Sequence, residues 1–429
     1  MRRIRGIGAV AVAGVALLAL SGCQQGSANS GGDEGGPVTL EFQSLSDQPA
    51  TQAVVKRIVD DWNAQNEDVQ VDIVQAGWDG TYDKLITQFT GGTAPDIIHF
   101  EASSLVSFAA DGYLADLTDL IDDDLTSDVS QGIWDSVTYD DRIIAYPSTL
   151  QSYMVFANAD LLAAAGVEVP TGDTMTWDQL QEIAKATTTA DHYGLGWGLG
   201  SPTATMMSLS LGFDGDYFDG QGDDASIDVG DDELAVAERI HEMAYTDASL
   251  EPTSLTQSGS EVLPSFYGGK IAMTVQGSFQ ATNIAQDAPE GLNWVALPPL
   301  EGSAGAVQAA NPQTYSVNVD SEHVEESADF LNFLMSGENL GEIAYADALI
   351  PSSGAARAEV ETLAGDDAAW KQVLASGEGL VGPPFLAVSR YTEWKDTVAT
   401  PAFQRYLADQ IDSDELAAEL TDGWADVAG

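Results

Sequence analysis

The sequence predicts an α/β protein built from two lobes. Strand-like and helix-like segments alternate after Pro37, and the first predicted helices carry their apolar residues on one face. This alternation is typical of strand–helix–strand units that form a largely parallel sheet. The chain has 429 residues and 44% of them are apolar, which is enough to build two hydrophobic cores.

The first five predicted elements follow the order strand, helix, strand, helix, strand. The strands are rich in β-branched residues, and in the first helix Val55, Ile58 and Trp62 fall on one side. A Gly-Gly-Thr turn precedes the last of the three strands. These elements are residues 38–45, 51–66, 69–76, 81–90 and 95–100.

The remainder of the chain continues the same texture and then becomes mostly helical. Further strands are predicted at 142–147, 153–158, 194–200, 270–275, 293–298 and 314–319, with helices near 177–187, 231–245 and 260–268. The predicted C-terminal helices are 322–335, 340–346, 366–375, 390–407 and 414–427. Residues 212–230 are predicted to form a long loop, and no internal repeat has a fixed period.

The N-terminus has the layout of an export signal. Arg2, Arg3 and Arg5 precede an uncharged apolar run from 7 to 20, which is too short to span a bilayer comfortably. The residues "LSGC" end at Cys23, the single cysteine, and resemble the lipobox of bacterial lipoproteins. Residues 1–22 are therefore predicted to be a signal peptide, and Cys23 a lipidated residue. The alternative is an ordinary secretory signal beside an incidental cysteine.

The segment that follows is predicted to be a flexible linker. Residues 24–36 contain only Gly, Ser and other polar residues, so the linker with its lipidated Cys23 is assigned to 23–37. The mature chain would have no cysteine for disulfides, and no later apolar run approaches transmembrane length.

The charge balance excludes one class of partner. Lys and Arg number 15 against 68 Asp and Glu, for a formal net charge of −53. Such a chain is not expected to bind nucleic acid, or anionic lipid unaided. The acids are spread along the sequence, which predicts a solvated acidic surface suited to salt and leaves a cationic ligand open.

Motifs for catalysis, metals and cofactors are missing from the sequence. The four histidines are isolated, and no nucleophile elbow, P-loop or dinucleotide fingerprint occurs. Residues 214–224 are rich in aspartate but fail the spacing of a calcium loop. No catalytic residue, metal or cofactor is therefore predicted, although paired carboxylates for glycoside hydrolysis remain open.

Several side chains follow predicted strands at their carboxyl ends, where open α/β sheets bind ligands. Trp78 comes just after a strand, Phe100 and Glu101 close another, and Trp197 lies between glycines. Each aromatic taken singly could be a core or loop residue. Together they predict a lined cleft.

Three blocks resemble the family 1 extracellular solute-binding proteins of ABC importers. They are "GGTAPDIIHFEASSLVSFAADGYLADLTDLI" (91–121), "RIIAYPSTLQSYMVFANADLLAAAGVEVPTGDTMTWDQL" (142–180) and "FYGGKIAMTVQGSFQATNI" (266–284). Their order and spacing fit the family from about residue 38 to the C-terminus. The best-known relatives bind maltodextrins and other oligosaccharides.

The resemblance implies a two-lobed periplasmic-binding-protein-like (type II) fold with discontinuous lobes and a hinge. The first lobe would hold residues 38–146 and 304–340, and the second 147–303 and 341–429. The hinge crossovers would lie near Tyr146–Pro147, 298–305 and 337–341. A sugar would bind between the lobes, which would close around it.

The maltodextrin-binding pattern also implies roles for single residues. Asp47 matches a polar residue that bonds sugar hydroxyls, and Phe100 matches an aromatic of the cleft with Glu101 beside it. Gln151 stands where the pattern has an acidic hydroxyl binder, and Phe279 where it has a stacking tryptophan. The chain departs from the pattern at both of these positions.

Four further candidates come from the end of this pattern or from position near the hinge. Arg390 or Tyr391 falls near the last stacking aromatic of the pattern. Asn311 and Gln313 lie beside the predicted hinge strand, where turn chemistry around Pro312 is an equal alternative.

These expectations combine into one predicted function. The chain would be a monomeric, lipid-anchored binding protein on the outer face of the cell membrane, which delivers a carbohydrate to ABC permease subunits without performing chemistry. A polyamine or peptide ligand, or a secreted carbohydrate-active enzyme, are the alternatives. Aromatic rings suit the apolar face of a pyranose, and acids, amides and arginine suit its hydroxyl rim.

Overall fold

The computed structural model describes residues 37–429, apart from residues 79, 221 and 223. Pro37–Gly429 form one compact unit. The predicted signal peptide, the lipidation residue Cys23 and the linker up to residue 36 lie outside the described residues.

The strands of the described residues are mostly short, and the longest belong to two sheets. In chain order they are β1 (Val38–Ser44), β2 (Val69–Gln75), β3 (Ile97–Glu101), β4 (Thr138–Tyr139), β5 (Arg142–Ile143), β6 (Tyr146–Pro147), β7 (Thr149–Leu150), β8 (Tyr153–Asn158), β9 (Met175–Thr176), β10 (Tyr193–Trp197), β11 (Phe218–Asp219), β12 (Ser226–Ile227), β13 (Ile271–Gly277), β14 (Trp294–Ala296), β15 (Leu300–Glu301), β16 (Gln308–Ala309), β17 (Gln313–Val317), β18 (Ile350–Pro351) and β19 (Leu380–Val381).

The helices cover both sheets and dominate the C-terminal part of the chain. They are α1 (Pro49–Gln65), α2 (Thr81–Gly91), α3 (Ala102–Ala110), α4 (Asp123–Asp128), α5 (Gln131–Asp135), α6 (Ala159–Ala164), α7 (Trp177–Thr187), α8 (Thr203–Ser210), α9 (Asp231–His241), α10 (Gly259–Tyr267), α11 (Gln280–Asp287), α12 (Val324–Leu334), α13 (Gly337–Asp347), α14 (Gly354–Ala364), α15 (Ala368–Ser376), α16 (Tyr391–Trp394), α17 (Thr400–Leu407) and α18 (Ser413–Ala428).

The two main sheets confirm the predicted α/β class with discontinuous lobes. The first has the order β2-β1-β3-β17-β6, with β1, β2 and β3 parallel and β17 antiparallel to β3. The second has the order β10-β13-β8-β14, with β10 and β13 parallel. Strand β17 belongs to the first sheet but follows all four strands of the second sheet in the sequence, so the first lobe is made from separate stretches of chain.

Each sheet buries apolar side chains against its helices. In the first lobe Trp62 of α1 packs edge-on against Phe330 of α12, with ring centroids 5.5 Å apart. In the second lobe Trp394 is fully buried against Phe218, at 5.1 Å. Burial of one such aromatic contributes about 2–3 kcal/mol from the apolar area removed from water, so these rings anchor the helices to their sheets.

Some element predictions are wrong in detail. The helix predicted at 390–407 is interrupted at Lys395–Ala399 by a wide, π-type turn. Pro401 lies in the first turn of α17 and has no N–H to continue the ladder from the preceding helix. The loop predicted at 212–230 contains the short antiparallel pair β11–β12.

The chain passes between the sheets through a short segment, 148–152. The Ser148 hydroxyl donates to the Gln313 carbonyl of the first sheet at 2.8 Å, whereas the Ser152 hydroxyl lies 2.6 Å from that of Ser376. Between them β7 pairs with β18. The return passage contains β16, which pairs with β19.

The predicted lobe boundary at 340/341 falls within a single helix. Helix α13 packs as one piece on α1 of the first lobe and on α14, and α15 is the next helix to contact the second sheet. These contacts place the last crossing later in the chain than 341. The other predicted boundaries stay predictions.

Candidate ligand-binding cleft

A cleft runs between the carboxyl ends of the first sheet and the second lobe. It consists of two adjoining cavities of about 190 Å³ each, which share Glu101, Gln151 and Asn311. The first cavity is completed by Trp78, Thr149, Leu150, Gln313 and Leu349. The second is completed by Ser103, Ser104, Tyr153, Ala204, Ser208, Ala309, Phe385, Leu386, Tyr391, Thr392 and Lys395.

Trp78 forms the aromatic wall on the first-lobe side. It follows the carboxyl end of β2, and its half-buried ring lies nearly parallel to Phe100, at 6.1 Å and 26°. Its edge meets the imidazole of His99 at 5.6 Å and 74°. The ring is therefore supported from behind by two buried residues while it lines the first cavity.

His99 is a neutral residue behind this wall. It is only 2% exposed, and burial lowers the pKa of its imidazole from 6.5 to about 4. Its Nδ1 accepts a hydrogen bond from the Leu45 N–H at 3.1 Å, and its Nε2 lies 2.9 Å from Oε1 of Gln313. The ring thus connects β1 to the cleft-lining end of β17.

Asn311 closes the floor that the two cavities share. Its Oδ1 accepts from the Ser103 N–H in the first turn of α3 at 3.1 Å, and its Nδ2 donates to Glu101 Oε2 at 3.4 Å. Turn chemistry around Pro312 and a position in the cleft were alternatives for this residue, and its side-chain bonds go to residues of the cleft wall rather than to the turn. Glu101 keeps oxygen lone pairs that face the cavities.

Two tyrosines face the cleft from the second lobe. Burial raises the pKa of both Tyr153 and Tyr391, and the negative charge of Glu101 adds to each shift. Their hydroxyls therefore stay protonated near neutral pH. The amide of Gln308 fixes Tyr153 by bonding its N–H at 2.7 Å and its carbonyl at 3.0 Å, and Phe385 stacks on Tyr391 at 5.0 Å.

The lining has almost no net charge, in contrast to the chain as a whole. Among its described residues Glu101 is the one carboxylate and Lys395 the one ammonium, against a formal net charge of −53 for the chain. Lys395 also lies 3.0 Å from Asp396. The remaining lining groups are amides, hydroxyls and apolar side chains, which suit a neutral, hydroxylated ligand.

Six of the eleven candidate binding residues line this cleft: Trp78, Glu101, Gln151, Asn311, Gln313 and Tyr391. Phe100 lies directly behind Trp78 and is 5% exposed. Phe279 is half-buried and lies near the cleft residue Gln151: a Cβ added to Gly277 would be 2.5 Å from the Phe279 ring and 3.3 Å from the Gln151 side chain.

Trp197 and Arg390 are not brought to the cleft. Trp197 is 2% exposed in the core of the second lobe and stacks on Trp177 at 6.2 Å. A Cβ at Gly198 would lie 2.2 Å from the backbone of Gly259, so that glycine permits close chain approach rather than ligand access. The Arg390 guanidinium donates to the Val427 carbonyl at the C-terminal helix.

Asp47 also lies outside the lining. It is exposed after β1, near Asp347 at the end of α13. The pKa of Asp347 is raised to about 6, mainly by burial and further by the charge of Asp47, while a hydrogen bond from Thr51 opposes the shift. The pair forms an acidic site beside the cleft rather than within it.

Sequence reasoning missed most of the second-lobe lining. Phe385 and Thr392 belong to a C-terminal segment whose return to the cleft depends on tertiary packing. Thr149 and Leu150 lie in the passage next to Gln151 and could have been found from that neighbour. Tyr153 opens β8 at the same passage.

The described residues hold no cluster of His, Cys, Asp and Glu suited to a metal ion. None of the helices among them is long and apolar enough to cross a membrane.

A family model for bacterial extracellular solute-binding proteins matches residues 44–339. The chain belongs to this family. The resemblance carried by the three sequence blocks is confirmed, and with it the two-lobed periplasmic-binding-protein-like fold.

Two relatives show what kinds of protein are similar in sequence. An uncharacterized lipoprotein from the oleD 5′ region of Streptomyces antibioticus is 37% identical over 397 residues, which cover 91% of this chain and 86% of the relative. The diacetylchitobiose-binding protein DasA of Streptomyces coelicolor is 24% identical over 313 residues, or 71% of each chain.

Solved structures of sugar-binding proteins share the fold. The GacH receptor of Streptomyces glaucescens, solved with acarbose, has a TM-score of 0.74 at 22% identity and covers 91% of this chain and 98% of its own. A cyclic α-maltosyl-1,6-maltose-binding protein of Arthrobacter globiformis has a TM-score of 0.79 at 18% identity, with 92% and 99% covered.

Proposed function

We propose that this chain is the lipid-anchored, extracytoplasmic binding protein of an ABC importer and that it binds an oligosaccharide in the cleft. The ligand would contact both lobes only when they are closed around it. This difference in contacts would drive closure at the hinge. The closed form would then be presented to the permease.

The observation that carries the proposal is the composition of the lining. Trp78 offers a flat apolar surface on one wall, and Tyr391 with Phe385 offers another on the opposite wall. Sugars have apolar C–H faces that such rings cover. The amides of Gln151 and Asn311 and the surrounding hydroxyls supply donors and acceptors for a hydroxyl rim.

The charge of the cleft argues against a polyamine. A polycation would need several unpaired carboxylates, whereas the described lining has Glu101 alone, with Lys395 nearby to oppose it. The acidic character of the chain therefore resides elsewhere on its surface. The ligands of similar proteins, among them diacetylchitobiose, acarbose and cycloalternan, are neutral sugars or a sugar-like inhibitor and support the same choice.

A thermal-shift screen followed by calorimetry tests this function. The mature chain would be measured against maltose, diacetylchitobiose, acarbose and cycloalternan, with spermidine and a tripeptide as rival ligands. A specific ligand at 100 times its Kd stabilises the protein by about 2.7 kcal/mol. Stabilisation by spermidine or peptide alone would contradict the proposal, as would hydrolysis of a sugar during incubation, which would indicate an enzyme.

Replacing the aromatic wall should weaken binding of the sugar found in that screen. We expect Trp78→Ala to raise Kd about tenfold, since the variant loses the stacking surface. Tyr245→Ala is the matched control, because Tyr245 is 45% exposed and its hydroxyl bonds Leu407, away from the cleft. Equal affinity of Trp78→Ala and the wild type would contradict this use of the ring.

The anchor has its own test. Cys23→Ser in the full-length chain should move the protein from the membrane fraction to the medium, because acyl chains would provide the attachment. An unchanged membrane fraction would refute lipidation at Cys23 and leave the cleft proposal untouched.

A further inference from the structure

We propose that His99 is a positioning residue of the cleft, which holds the Gln313 side chain with its NH₂ group turned to the ligand. The inference rests on the proposed function for its ligand, but the orientation itself concerns the free protein. It assigns a role to a buried histidine that would otherwise be only a core residue.

The strand register brings the two residues together. In the antiparallel pair β3–β17, His99 is opposite Tyr315 and Glu101 is opposite Gln313. Alternate residues share a face, so His99, Glu101, Gln313 and Tyr315 all project to one side of the sheet. Glu101 and Gln313 reach the first cavity, while His99 lies one step behind them.

The hydrogen bonds of the ring decide its tautomer. The Leu45 N–H can only donate, so His99 Nδ1, at 3.1 Å, must accept. A neutral imidazole has one donor and one acceptor. The proton is therefore on Nε2, which donates to Gln313 Oε1 at 2.9 Å.

This tautomer in turn decides how the amide points. With Oε1 held by the ring, the Nε2 group of Gln313 is left to the cavity, and no described residue accepts a hydrogen bond from it. A flipped amide would place two donors against each other at His99. Gln313 is thus presented to a ligand as a donor, beside Glu101, which can only accept when ionised.

The surroundings hold the imidazole neutral and in place. Trp78 packs against one part of the ring at 5.6 Å and Tyr315 against another at 4.8 Å. The two nearby carboxylates do not bond to the imidazole. Glu101 accepts a hydrogen bond from Asn311, and Asp347 accepts one from Thr51. Burial lowers the pKa of His99 to about 4, so the donor remains on Nε2 at physiological pH.

Nitrogen-15 NMR of the mature, unliganded protein tests the orientation directly. We expect His99 to be a single neutral Nε2–H tautomer at pH 6, since burial lowers its pKa to about 4. We also expect a correlation between the His99 Nε2 proton and the side-chain amide of Gln313, across the hydrogen bond that joins them. An Nδ1–H tautomer or a protonated ring at pH 6 would overturn the proposal, whether or not any sugar binds.

A double-mutant cycle tests the role in binding, using the first sugar that binds in the screen of maltose, diacetylchitobiose, acarbose and cycloalternan. Gln313→Met and His99→Phe should each weaken binding about tenfold, because each removes a correctly directed donor. The double variant should bind like Gln313→Met alone, since His99 acts through that amide. Additive losses would overturn the proposal.

Two controls separate positioning from folding. His241→Phe alters a histidine that bonds Asp409 away from the cleft, so its Kd should equal that of the wild type. Gln313→Glu should raise the pKa of His99 in the NMR titration, because a carboxylate would then face the ring; an unchanged titration would overturn the contact. If no sugar binds the wild type, the proposed function fails, and the spectra still decide the orientation.

Discussion

His99 brings a titratable group into the core of the first lobe at a cost that depends on pH. Its pKa lies at about 4 in the folded chain and near 6.5 when exposed. Between these values the unfolded chain binds the proton more readily than the folded chain, so the free energy of unfolding falls as pH is lowered. The stability is complete above about pH 6.5.

We therefore expect the wild type to lose about 3 kcal/mol of unfolding free energy through His99 as pH falls from about 6.5 to 4. Urea titrations across this range would measure it, compared with His99→Phe, which lacks the titrating group. Asp347 has the opposite sign, since its raised pKa makes burial of its charge costly above about pH 6, but it is present in both chains. Parallel pH profiles would contradict the prediction.

Some of the cleft residues that sequence reasoning found lie at or near a strand end. Trp78 comes shortly after β2 and Glu101 is the last residue of β3, and the geometry of parallel sheets brings such positions to one edge. Trp197 has the same kind of neighbourhood, yet its strand is flanked by glycines that admit neighbouring backbone. Sequence does not distinguish a glycine that opens a site from one that closes a core.

At the scale of single elements, local chemistry fixes where helices begin. Helix α7 starts with a capping box, in which the Thr176 hydroxyl accepts from the Gln179 N–H at 3.1 Å and the Gln179 side chain accepts from the Thr176 N–H at 2.9 Å. These bonds satisfy backbone groups that a helix leaves unpaired. Trp177, the first residue of the helix, is thereby held in the core of the second lobe.

Thr176→Ala should lower the free energy of unfolding by about 1 kcal/mol, since it removes the hydroxyl of the cap. The matched control is Thr362→Ala on the surface of α14, where the hydroxyl only bonds the Ala358 carbonyl within the helix. That control should be neutral or slightly stabilising, because Ala is the better helix former. Urea denaturation of the two variants measures both changes, and equal losses of unfolding free energy would refute the capping argument.

Element type was predictable where periodicity was long and clear, as in α1 and β2. Short helices such as α3 and α8 were missed, because eight or nine residues that are mostly buried show little amphipathic contrast. The break between α16 and α17 follows from Pro401. Its form as a wide turn depends on packing around it, which no local pattern describes.

At the scale of the whole molecule, surface charge dominates. The chain has 15 basic and 68 acidic residues, so most carboxylates have no cation to pair with, and they repel one another through water. Salt screens this repulsion. The screening length, beyond which exposed charges hardly interact, is about 10 Å at 0.1 M ionic strength and 3 Å at 1 M. The cores have no disulfide in the described residues to oppose it, since the one cysteine is Cys23.

Adding sodium chloride from 20 mM to 1 M should therefore raise Tm by about 2 °C, because a gain of about 2 kcal/mol is divided by the large unfolding entropy of a chain of this size. Differential scanning calorimetry measures the shift. Sucrose at equal osmolality is the control for solvent exclusion, and it should give a smaller rise. A Tm that does not change with salt would show that charge repulsion does not limit the stability of the fold.

The layout of the whole molecule was predictable only in part from local patterns. Alternation of strands and helices indicated parallel units, but the return of β17 to the first sheet came from family resemblance. The contacts of α13 show why the boundary at 340/341 was difficult, since α13 itself spans it. Long-range packing decides which lobe a helix joins.

The passage at 148–152 is secured at one end by Ser148 to the first sheet and at the other by Ser152 to Ser376. Any rotation of one half against the other must be absorbed in part by the three residues between these fixed ends, and one of them, Gln151, lines the cleft. The hinge and a ligand contact would then lie in the same segment. A ligand bound to Gln151 would act directly on the backbone torsions of this segment. Ligand binding and rotation of the lobes would then be coupled without a chain of intervening side chains.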